Sequence, residues 1–192
     1  MTEEQRQLVC RHMRAATIFP GNPGNKDRVR ENTDEVLQEL NESLGFDIQA
    51  EPGRVVLLLE DAMRSHDAAD VQCALHVAGL VDFYPSFMPL LINLLELTWH
   101  HSHEEIASWF QDLKAPEPVA ALYHAALVQH ECRAWDDNYV LARRCTWALA
   151  DIGTAEAYEK LQLLATCGIP MVAEFAQKRV DNWQEEKPRG AT

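Results

Sequence analysis

Residues 142–165 read "ARRCTWALADIGTAEAYEKLQLLA". With Leu141 just ahead, Cys145, Ala148, Leu149 and Ile152 line one face of a helix with a 3.6-residue period. Gly153 follows, a residue able to take the left-handed conformation that ends helices. Thr154 can cap the next helix through its side-chain oxygen, and Ala157, Leu161, Leu164 and Ala165 begin a second apolar stripe. Arg143 and Arg144 open the stretch, and one of them is expected to reach a carboxylate across the repeat interface, with Asp136, Asp137 and Asp151 as the choices. Trp147 falls between stripe positions, so it is expected to pack against a neighbouring pair of helices. The segment holds no nucleophile–base pair, phosphate-binding glycine run or metal-ligand spacing. It is built to pack.

Working outward, the same period recurs along the chain. Val55, Leu58, Leu59 and Ala62 follow it, as do Val71, Ala74, Leu75 and Ala78, and Phe87, Leu90, Leu91 and Leu94. Ile106, Trp109, Phe110 and Leu113 continue it, then Val119, Leu122, Tyr123, Ala126 and Leu127, and finally Val172, Ala176, Val180 and Trp183. No segment sustains the period-2 alternation of a half-buried strand. Pro85, Pro116, Pro118 and Pro170 stand at helix starts, where a missing N–H costs little, and Gly168 stands at a helix end. Ser102 and Glu105 form a capping-box pattern. Short connections make consecutive helices antiparallel neighbours. The fold class is all-α, a right-handed stack of helical hairpins forming a short α-solenoid.

The first 50 residues differ. A helix is predicted from Thr2 to Ile18, with Thr2 and Gln5 as a reciprocal cap. "PGNPGNKDRVREN", residues 20–32, reads as a loop. Val36, Leu37, Leu40 and Leu44 mark a further helix ending near Gly45. The predicted organisation is a helical cap over 1–50, a repeat array over 51–184 and a disordered tail over 185–192.

Two distant stretches share a layout. "DVQCALHVAGLVDFYPSFMPLLINLL" (70–95) and the opening stretch each read as a helix of small residues, a tight turn and a leucine-bearing helix. One hairpin cannot bury both its faces, so neighbours must stack on it. Here the sequence resembles HEAT-like repeat proteins, most clearly over 142–165. Upstream, Trp99, His103, Glu104, Glu105, Ile106, Leu113, Lys114, Pro116, Val119, Leu122, Tyr123, Ala125 and Ala126 are similar to the preceding repeat of small bacterial HEAT-like proteins of toxin–immunity loci. The resemblance implies a non-catalytic immunity protein that neutralises a cognate toxin by direct binding. HEAT-like relatives also include bilin lyase-like and alkylpurine DNA glycosylase-like proteins and generic scaffolds, so fold alone does not assign the role.

Charge narrows the choice. The chain of 192 residues carries a net charge of −13. Residues 51–135 hold 4 basic and 12 acidic side chains, so the middle of the chain is the acidic part. Binding to a nucleic-acid backbone is disfavoured, whereas a basic protein partner, such as a basic toxin, would be steered by such a surface. The candidate contact residues are Glu96, Glu104, Glu105, Asp112, Trp135, Asp136, Asp137 and Glu159. Trp135 with its two carboxylates reads either as a loop staple and helix cap or as an interface anchor. Five scattered cysteines without a C-x-x-C pair read as reduced thiols of a cytoplasmic protein. No apolar run is long enough for a membrane span, and the charged N-terminus does not read as a secretory signal. A monomer or weak dimer is expected.

"WHHSHEE" (99–105) offers His100, His101, His103, Glu104 and Glu105 as possible zinc ligands, but adjacent helical positions point apart and no H-E-x-x-H occurs. A helix start explains the stretch without metal. Cys145 lies on the apolar stripe and reads as inert, while Cys132, beside Arg133, lacks a base that the sequence can place next to it. No catalytic residue, metal or cofactor is predicted.

Overall fold

The computed structural model describes residues 1–16, 26–81, 85–129 and 139–186. All regular structure among the described residues is helical, and the chain divides into two compact units, Met1–Phe87 and Met88–Thr192. The first unit holds both the expected cap and the first helical hairpin of the expected array.

In that unit, α1 (Glu3–Ala16) packs on α2 (Lys26–Leu44) and α4 (Ala68–Ala78), and α3 (Pro52–Ser65) packs on α4. α1 starts with the reciprocal cap that its sequence encodes. Gln5 N–H donates to Thr2 Oγ1 at 3.2 Å, and Thr2 N–H donates to Gln5 Oε1 at 2.9 Å. α2 begins at Lys26, inside the stretch 20–32 read as a loop. After Gly24 that stretch has no glycine or proline, and its charged residues are compatible with helix. Gly45 ends α2 at φ 74°, and Asp67 caps α4 by accepting from Ala69 N–H and Asp70 N–H. Val9, Leu40, Ile48, Val55, Leu59, Val71 and Leu75 are fully buried.

Two polar clusters join α1 to α4. Arg6 bridges Asp67 at 3.0 Å and the buried Asp70 at 2.9 Å, and the Met1 α-amino group lies 3.0 Å from Asp70. Nearly two turns further on, His12 Nδ1 and His76 Nε2 share a hydrogen bond of 2.9 Å. Burial lowers the pKa of both imidazoles, that of His76 to about 4.

The second unit is built around α8 (Val140–Ile152). It packs against α6 (His103–Leu113), α7 (Val119–Leu127), α9 (Ala155–Ala165), α10 (Pro170–Asp181) and the single turn α11 (Trp183–Glu186); α5 (Phe87–Glu96) precedes them in the chain. Leu141, Ala142, Cys145, Thr146, Ala148, Leu149, Ala150 and Ile152 of α8 are buried. Alanine at 142, 148 and 150 lets neighbours approach from several sides at once, which is why one helix can serve so many. Gly153 ends α8 at φ 71°, and Thr154 Oγ1 accepts from Ala157 N–H at 3.2 Å.

Several expectations need correcting. Ser102 precedes α6 but makes no side-chain cap; its N–H instead donates to His100 Nδ1 at 3.1 Å. Gly168 does not close α9 in a left-handed conformation, because the helix ends at Ala165 and Thr166 caps it at φ −109°. On α10 the buried stripe is Val172, Ala176 and Arg179, while Val180 is only half-buried. Trp109 is half-buried rather than a core residue. No helix among the described residues is long and apolar enough to cross a membrane.

Candidate functional site

Because neighbours cover α8 on most sides, only one stripe of it faces outward. Val140, Arg144, Trp147 and Asp151 recur along that stripe at helical spacing, and Arg143 flanks it. Trp147 meets the neighbouring helix α10, as its position off the stripe led one to expect, but only part of the ring is covered. It is 44% exposed, a large fraction for the bulkiest side chain. The guanidinium of Arg179 lies 4.3 Å from the centre of its ring, a cation–π contact from α10. This contact explains how a charged residue comes to sit on the buried stripe of α10: its head group covers the indole.

Gln111 of α6 ties the stripe together. Its amide donates to Asp151 Oδ2 at 2.7 Å, and its carbonyl accepts from Arg144 Nη1 at 3.1 Å. Asp151 is therefore bonded to the amide and not to an arginine. Arg143 and Arg144 are both exposed, and among the described residues neither has a carboxylate partner. Gln111, Val140, Arg143, Arg144 and Trp147 line an open groove of about 340 Å³. It presents an aromatic surface beside two guanidinium forks.

The acidic candidates are placed differently. Glu96 is exposed at the end of α5 and lines a second groove, of about 200 Å³, with Leu95, Thr98, His124, Ala125 and Val128. Glu104 and Glu105 are half-buried in the first turn of α6, and burial raises the pKa of Glu105. Asp112 is exposed near the end of α6, two turns beyond Glu105 on the same face, and Glu159 is exposed on α9. No hydrogen bond or ion pair links Glu96, Glu105, Asp112 and Glu159 to one another among the described residues. Trp135, Asp136, Asp137 and Cys132 lie outside the described residues.

The histidine stretch has a structural occupation. His100 accepts from Ser102 N–H at Nδ1, so its proton is on Nε2, which donates to Leu94 O at 2.7 Å. His103 Nε2 donates to Leu97 O at 2.6 Å, and the two buried rings stack at 4.1 Å. The imidazoles thus satisfy carbonyls at and just beyond the end of α5. Among the described residues no three His, Cys, Asp or Glu side chains form a group that could hold a metal ion. Cys145 is fully buried, and burial pushes its thiol up to about 12, which keeps it protonated and unreactive.

Sequence reasoning missed the arginine–tryptophan groove. The available signal was the phase of Trp147: an aromatic off the apolar stripe, one turn from two arginines, shares their face. The chain matches no family model, and comparison with curated proteins and with solved structures gave no significant match.

Proposed function

We propose that the chain is a non-catalytic protein-binding module whose helices stack as a HEAT-like solenoid. In the second unit α8 touches α6 and α7, α9 touches α7 and α8, and α10 touches α8 and α9. Contact with chain neighbours and next neighbours is what stacked helical hairpins produce, which supports the solenoid reading. The observation that carries the binding reading is the exposed Trp147 flanked by Arg143 and Arg144. Tryptophan and arginine are the residue types most enriched at interface hot spots, and here they occupy the only outward stripe of an otherwise buried helix. Glu96, Glu104, Glu105, Asp112 and Glu159, with Trp135, Asp136 and Asp137, are the further proposed contact residues. Their charge would steer a partner with a basic surface. An immunity protein holding a cognate toxin is the specific form of this reading that the sequence resemblance supports.

The test is to recover the partner by affinity copurification from the native host and measure binding of variants. Trp147→Ala is expected to cost at least about 2 kcal/mol, mainly through faster dissociation. Glu96→Gln with Asp112→Asn and Glu159→Gln is expected to slow association, with the effect fading as salt rises. A recovered partner that binds both variants like the parent would remove this surface from the interface. Turnover of a small molecule by the purified chain would remove the binding-module reading itself.

A further inference from the structure

We infer that the Trp147 groove receives an acidic segment of a partner protein, with its carboxylates on Arg143 and Arg144 and an apolar or aromatic side chain against the indole. This rests on the binding-module reading and specifies what the groove binds. Two exposed guanidinium forks without carboxylate partners among the described residues line the groove. Planar forks match carboxylates in bidentate geometry. Arg144 is already steadied by Gln111, and Trp147 by Arg179, so part of the ordering cost is met before a ligand arrives. Arg179 covers one face of the indole and leaves the rest to the groove.

A nucleic-acid strand is the other anionic occupant to weigh. It requires a path of cations tracking successive phosphates. The groove has two forks, one of them sharing Gln111 with the Asp151 carboxylate, in a chain of net charge −13. A few carboxylates on a short peptide fit that geometry; a continuous polyanion does not.

The experiment is a titration of the ¹⁵N-labelled full chain followed by NMR. The Trp147 indole N–H signal is assigned by its loss in Trp147→Phe. The probes are the blocked peptide acetyl-DEFDEL-amide, its neutral counterpart acetyl-NQFNQL-amide, a thymidine hexanucleotide and inorganic phosphate. The acidic peptide is expected to shift the Trp147 indole. The double variant Arg143→Gln with Arg144→Gln should weaken that binding at least about tenfold, with the melting curve unchanged because both side chains are exposed. The inference is overturned if the acidic peptide leaves the indole unmoved at millimolar concentration. It is overturned equally if the neutral peptide binds as well, or if the oligonucleotide or phosphate binds more tightly. In any of these cases, a host partner whose affinity still depends on Trp147 keeps the binding-module reading intact.

Discussion

The His12–His76 pair couples the stability of the first unit to pH. A neutral pair needs one nitrogen to donate and one to accept across 2.9 Å. A first added proton places a cation in a helix interface where His12 is buried, and a second sets two donors against each other. The folded pKa of His76 is about 4, below the ordinary 6.5 that the unfolded chain shows, and that of His12 is lowered too. Between these values the unfolded state binds more protons, so stability is complete above pH 6.5 and falls as pH drops toward 4. Solvent screening at the half-buried His76 keeps the expected loss to about 1–2 kcal/mol. Asp67, whose carboxyl is held below its ordinary 3.8 chiefly by backbone N–H donors, adds loss only at still lower pH. Urea denaturation of the parent and of His76→Gln from pH 7.5 to 4.5 checks this; the variant should show a flatter profile, and equal slopes would show that the pair does not titrate as assigned.

At the level of the helix, α8 and its caps separate packing from exposure. Leu149→Ala should cost about 2–5 kcal/mol, because the side chain is fully buried among helices that cannot all collapse onto the gap. Trp147→Ala, two residues earlier on the exposed stripe, should cost about 1 kcal/mol or less, the loss arising from its contact with Arg179. Urea denaturation of the two variants measures the difference, and comparable losses would place Trp147 in the core. The caps offer a parallel contrast. Thr154→Ala removes a formed cap bond and should cost about 1 kcal/mol. Ser102→Ala should cost at most a few tenths, since Ser102 makes no side-chain cap and its N–H bond to His100 survives the change.

For the molecule as a whole, the far-ultraviolet circular dichroism spectrum should be that of a helical protein with no β component, given that all regular structure among the described residues is helical. The net charge of −13 should also be visible in binding. Association with a basic partner is expected to slow roughly tenfold or more as ionic strength rises from about 0.01 to 0.15 M, while dissociation changes little. Stopped-flow measurement of the association rate across that range checks it. A salt-independent rate would mean that the acidic residues take no part in encounter.

What the sequence by itself determined was local. The apolar stripes, the Thr2–Gln5 cap, the left-handed Gly45 and Gly153, the Thr154 cap and Pro170 at a helix start all depend on residues within a turn or two of each other. Periodicity and capping chemistry report such short-range interactions directly. Only the tertiary structure decided which side chains were left in solvent. Trp147 is exposed because α6, α7, α9 and α10 cover the other faces of α8, and Arg179 is buried because that indole lies under it, 32 residues away in sequence. His12 meets His76 across 64 residues of chain. Burial and partnership at these positions are set by which distant helix arrives, and no local period encodes that.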